Sequence, residues 1–94
     1  MFQTIAIHDV RPEHRDALLT FMRRVEDAVA GAEGLIDFGS YDDASSGRLV
    51  GVGRWVSREA FTAALPQITS LGAERWDEWT DEDDVLLTLV PPAR

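Results

Sequence analysis

Ninety-four residues carrying a net charge of −8, with no cysteine, fit one small domain and remove several roles at once. An acidic surface repels phosphate backbones and anionic headgroups, so neither nucleic acid nor a membrane surface is expected as a partner. The lack of cysteine removes disulfides, thiolate nucleophiles and thiolate metal sites, and because all nine basic residues are arginine there is no Schiff-base lysine either.

Phe2 to Asp9 is short, rich in β-branched residues and apolar on both parities, as a strand buried on both sides should be. Arg11-Pro12-Glu13 places a proline and an acid where a helix begins. Leu18, Phe21, Met22, Val25, Ala28 and Val29 then recur at helical spacing, and Gly31 is the natural stop. A second strand is predicted over Leu35 to Tyr41, a turn over DDASSG (42–47), and a returning strand over Arg48 to Val56. Ser57 caps a second helix carrying Ala60, Phe61, Ala64 and Leu65, and Pro66 should kink or restart it. Residues 67–79 read as a broken helical segment holding Trp76 and Trp79, and Val85 to Val90 as a last buried strand. No stretch approaches the ~20 apolar residues of a membrane span, and no charged leader precedes an apolar signal core, so a soluble, cytoplasmic chain is expected.

The order β-α-β-β-α-β is the split βαβ plan, an α+β ferredoxin-like fold: one domain over 1–94, with a four-stranded antiparallel sheet and two helices on one face. Two helices cover one face only. The first and last strands are apolar on both, so the open face should be buried against a second copy, giving a homodimer.

With the turn centred near Ser45, strands two and three pair so that Tyr41 opposes Leu49, Gly39 opposes Gly51, Asp37 opposes Gly53 and Leu35 opposes Trp55. One face then carries Asp37 beside three glycines, bounded by Tyr41 and Trp55, while Ile36, Phe38, Val50, Val52 and Val56 occupy the other. A patch of glycines packs nothing, so it is either approached closely by a helix or left as the floor of a pocket. A carboxylate on such a face is costly unless paired, hydrated or working, which makes Asp37 a candidate base.

His8 is a second candidate base, ending strand one on the parity of Phe2 and Ala6. Ser57 is explained by its cap, because no histidine–acid pair is placed to activate it. His8 and His14 lack ligand spacing, so no metal site is expected. The acidic run at 74–84, seven acids against Arg75, reads as a solvated face. Trp76 and Trp79, three residues apart, can share one helical face as a planar boundary beside Arg75.

The Pro-Glu helix start after the first strand, EGL (33–35), the hairpin, and RW-x-S-x-E-A-F (54–61) in this order resemble the antibiotic biosynthesis monooxygenase family of dimeric α+β barrels. The resemblance covers nearly the whole chain. It implies oxidation of an aromatic phenol to a quinone by O₂ with no metal, flavin or haem, hence no cofactor. By the same resemblance Trp55 would contact substrate and Arg75 would be the family's late arginine. Phe61 replaces a family tyrosine, and Gly51 replaces a family asparagine. The haem-degrading branch needs an asparagine and a helix-two histidine; this chain has no asparagine, and Ala64 and Leu65 stand where the histidine would be.

Together these readings predict a cofactor-independent monooxygenase acting on a small or polycyclic aromatic. Its catalytic candidates are Trp55, Asp37, Arg75 and His8. Tyr41, Gly39, Gly51, Gly53, Phe61 and Trp76 would contact the substrate. The alternative is a non-catalytic dimeric module that binds an apolar small molecule in the same pocket.

Overall fold

A computed structural model describes residues 1–72, 76–80 and 85–93. Strand β1 (Phe2–His8) leads through a 3₁₀ turn (Pro12–His14) into helix α1 (Arg15–Val29). Strands β2 (Leu35–Asp42) and β3 (Leu49–Trp55) form the hairpin, followed by α2 (Arg58–Thr69), the single turn α3 (Trp76–Trp79) and β4 (Val85–Leu89). The sheet is antiparallel in the order β2-β3-β1-β4, which is the ferredoxin-like arrangement expected from the element order. Among the described residues no helix is long and apolar enough to cross a membrane.

Local chemistry accounts for the element ends. Ser57 Oγ accepts a hydrogen bond from the Ala60 amide at 3.1 Å, the N-cap contact that fixes the start of α2. Pro66 lies inside α2 without ending it. The helix runs one further turn to Thr69, because residue 66 loses only its own amide bond and the following turn is held by Ser70 N to Pro66 O at 3.0 Å. Gly34 adopts φ +84°, and a Cβ there would meet the Ala60 Cβ at 2.5 Å, so glycine alone permits both the turn and the approach of α2.

The 42–47 turn is built around Asp43. Its carboxylate accepts from Ser45 N at 3.1 Å, Ser45 Oγ at 2.8 Å and Ser46 Oγ at 2.6 Å. These hydroxyl and amide donors hold the Asp43 carboxyl down at about 2, with the Ser46 bond contributing most. The loop is closed by Asp43 N to Arg48 O at 2.9 Å, so the pair flanking it is Asp42 and Leu49.

That closure corrects the expected register. Beyond the turn, Tyr41 pairs with Val50, Ser40 with Gly51, Gly39 with Val52, Phe38 with Gly53 and Asp37 with Arg54. A bulge at Ile36 restores the predicted pairing of Leu35 with Trp55. A shift of one residue inverts the faces of the intervening strand. Asp37, Gly39 and Tyr41 therefore lie on the open face, and Phe38 lies under the helices. The exchange is favourable: an aromatic ring gains a buried site, and a carboxylate stays in water.

The helix-facing side carries Phe2, Thr4, Ala6 and His8 from β1 and Leu49, Gly51, Gly53 and Trp55 from β3. Two buried clusters pack on it. One gathers Phe2, Val29, Trp55 and Ala64, and the other Val10, Leu18, Met22 and Leu49. The opposite face presents Ile5, Ile7, Val50, Val52, Val85, Leu87 and Leu89, of which the three β4 residues remain 40–45% exposed.

Candidate functional site

Between the two clusters lies a cavity of about 230 Å³. Its floor is the sheet: Thr4, Ala6 and His8 of β1, Phe38 of β2 and Gly51 of β3, with Leu86 of β4 at one side. Helix α1 closes it with Phe21, Met22 and Val25, α2 with Phe61, Leu65 and Ile68, and α3 with Trp76. Ala6 pairs directly with Gly51, so two of the smallest residues of the inner face meet on the floor.

The two inner-face glycines have different causes. At Gly53 a Cβ would meet Thr4 Oγ1 at 2.7 Å, Trp55 Nε1 at 2.8 Å and Phe38 at 3.0 Å. That glycine is required by close packing. At Gly51 the nearest atoms to a Cβ would be Met22 Cε at 3.8 Å and Phe38 at 4.0 Å, an ordinary van der Waals distance. Nothing forbids a methyl group there; the space above Gly51 is the cavity itself.

His8 is 8% exposed and stands at the far end of β1 from the Trp55 cluster. Its ring meets Trp76 edge-on, with centroids 5.0 Å apart and planes at 84°. Trp76 in turn packs on Phe21 at 5.6 Å. The tryptophan is held in place because α3 is tied to the chain after β1 by Arg11 N to Trp79 O at 2.7 Å and by a bridge between Val10 and Thr80.

Trp55 is fully buried and does not line the cavity. It packs on Phe61, centroids 5.6 Å apart, and Phe61 also contacts Phe2. Its indole Nε1–H is buried without a hydrogen-bond partner among the described residues, which is a costly state for a donor.

Of the residues named from sequence, His8, Gly51, Phe61 and Trp76 meet around the cavity, with Gly53 and Trp55 packed against its edge. Asp37, Gly39 and Tyr41 do not join them. Asp37 accepts a bidentate hydrogen bond from Arg54 on the open face, and that guanidinium holds its carboxyl below the usual range. Arg75 lies outside the described residues. Thr4, Ala6, Met22, Val25, Phe38, Leu65, Ile68 and Leu86 are lining residues not singled out beforehand. Thr4 shares the parity of Phe2, Ala6 and His8, and that signal was sufficient to find it.

Comparison with solved structures settles the fold. Rv0793 from Mycobacterium tuberculosis superposes with a TM-score of 0.84 at 23% identity, covering 99% of this chain and 96% of that one. A structure described as a putative antibiotic biosynthesis monooxygenase from Deinococcus radiodurans superposes at 0.82 with 17% identity, covering 100% and 95%. Another so described, from Nitrosomonas europaea, gives 0.79 at 16% identity, covering 97% and 98%. The chain has the antibiotic biosynthesis monooxygenase fold. No family model matches the sequence, and no curated protein matches it. At these identities the likeness is one of backbone, so the monooxygenase fold frames the cavity without assigning its chemistry.

Proposed function

We propose that the chain is a cofactor-independent monooxygenase that oxidises a small phenol to a quinone with O₂. The observation that carries this reading is the cavity itself: aromatic walls, a bare Ala6–Gly51 floor and one imidazole, in the fold of structures described as monooxygenases. An apolar, aromatic-walled cavity favours a flat aromatic ligand and strengthens electrostatic effects within it. His8 removes the phenol proton. The electron-rich anion then passes an electron to O₂, and the resulting radical pair combines at the para carbon. Loss of the para hydrogen and cleavage of the O–O bond leave one oxygen atom as the new carbonyl. The other leaves as water, so phenol plus O₂ gives quinone plus H₂O.

The test is oxygen uptake with 1-naphthol in chelator-treated buffer, with quinone formed in step. His8→Gln should lower turnover by ~10²–10⁴, the usual contribution of a general base. No oxygen uptake by the native chain would sink the reading.

Departures at Phe61 and Gly51 from the polar residues of the resembled family favour a second reading, a non-catalytic binding module using the same cavity. Saturable binding of 1-naphthol that leaves it chemically unchanged over hours would support it.

In either case the apolar open face supports a homodimer, since Val85, Leu87 and Leu89 stay exposed beside Ile5, Ile7, Val50 and Val52. Sedimentation should find twice the chain mass, and Leu87→Arg should yield monomers.

A further inference from the structure

The cavity has a defined size, a lining without carboxylate or guanidinium among the described residues, and two unlike ends. Its volume of about 230 Å³ exceeds the ~150 Å³ that encloses one benzene ring in a protein core. It falls short of the ~300–1,000 Å³ typical of sites for drug-sized ligands. One ring or two fused rings fit that interval. Among the described residues, none of those lining it is Asp, Glu or Arg, so a carboxylate or phosphate on the ligand would be desolvated without a counter-charge.

The polar groups stand at opposite ends. His8 and Thr4 project from the same face of β1, four residues apart, which is ~13 Å between Cα atoms at the usual strand rise. Allowing for the reach of both side chains and a hydrogen bond of ~2.8 Å at each end, that span suits a ring with oxygen atoms para to one another. The ends are chemically unlike. An imidazole can take a proton. At the other end the cavity wall offers the Thr4 hydroxyl, which can donate to an oxygen that only accepts.

We propose that the substrate is a neutral one- or two-ring phenol held lengthwise, its hydroxyl at His8 and its para carbon at Thr4. Thr4 is then the specificity-determining residue that donates to the oxygen arriving on that carbon. This rests on the monooxygenase reading, in which that oxygen comes from O₂ and its partner atom leaves as water.

The proposal is tested by binding, independently of turnover. Calorimetry would compare 1-naphthol, which has one oxygen, with 1,4-naphthoquinone, which has two across the ring, and with three-ring anthrone and 1-hydroxy-2-naphthoate. Thr4→Val keeps the side-chain shape and should weaken 1,4-naphthoquinone about tenfold while leaving 1-naphthol within twofold, the loss expected of one hydrogen bond. Thr4→Ser should restore the quinone affinity. Anthrone and the naphthoate should bind at least tenfold more weakly than 1-naphthol. Equal effects of Thr4→Val on both two-ring ligands, no effect on either, or anthrone binding as tightly as 1-naphthol would each overturn it. If the predicted affinities appear without oxygen uptake, the ligand class stands and the monooxygenase reading falls.

Discussion

Gly53 and Gly51 sit two residues apart on one face of one strand, and the space above them could hardly differ more. Over Gly53 the Thr4 hydroxyl, the Trp55 indole and the Phe38 ring press to within 3.0 Å of where a methyl would be. Over Gly51 there is room for one, and beyond it a cavity of about 230 Å³. The same residue type thus serves close packing at one end of the sheet and an open volume at the other. The cause is the partner residues. Trp55, Phe2 and Phe61 are large enough to fill the first end, whereas Ala6 and Gly51 pair at the second and leave the helices resting on Met22, Phe38 and Trp76 around a void.

Substitutions should separate the two ends. Removing the filling of the packed end has the largest effect: Trp55→Ala should cost about 3–5 kcal/mol in denaturant unfolding, the usual penalty for deleting a buried aromatic. Gly53→Ala should cost about 1–3 kcal/mol, because three packed neighbours must move to admit one methyl. Gly51→Val inverts that pattern. It should leave stability within about 1 kcal/mol of the native chain, since a β-branched residue suits a strand and its Cβ meets Met22 and Phe38 only at ordinary van der Waals distance, yet abolish binding of 1-naphthol by filling the floor. Equal destabilisation by the substitutions at 51 and 53 would erase the distinction between the two ends.

A smaller effect is expected at the bulge that decides which residues face the packed end. The Asp37–Arg54 pair secures it on the open face, and the guanidinium lowers the Asp37 carboxyl below its ordinary value of 3.8. A lowered carboxyl contributes stability that is fully present above the ordinary value and fades as acid protonates it below. Amide exchange at residues 35–38 should therefore quicken on acidification below about pH 4, beyond the intrinsic pH dependence of exchange. In Asp37→Asn that extra acceleration should disappear.

Much of this was legible in the chain. The strand and helix periods, the Ser57 cap and the order of elements lead to the ferredoxin-like sheet, because each depends on residues near one another in sequence. The even parity of β1 placed His8 on the face of Phe2 and Ala6, and the same parity held Thr4. The hairpin was different. Whether Asp37 or Phe38 faces the helices depends on a single residue of register, and that was set by Asp43 gathering Ser45 and Ser46 into a loop closed at Arg48.

What the sequence alone determined, then, is the architecture, through local patterns whose period tolerates an error of one or two residues. What only the tertiary structure decided is the identity of the cavity. A strand alternates its faces with period two, so one extra residue at Ile36 exchanges a carboxylate for a phenyl ring. And a glycine's own side chain is silent about its surroundings: only the neighbours brought over Gly53 and kept away from Gly51 distinguish a packed floor from an open one.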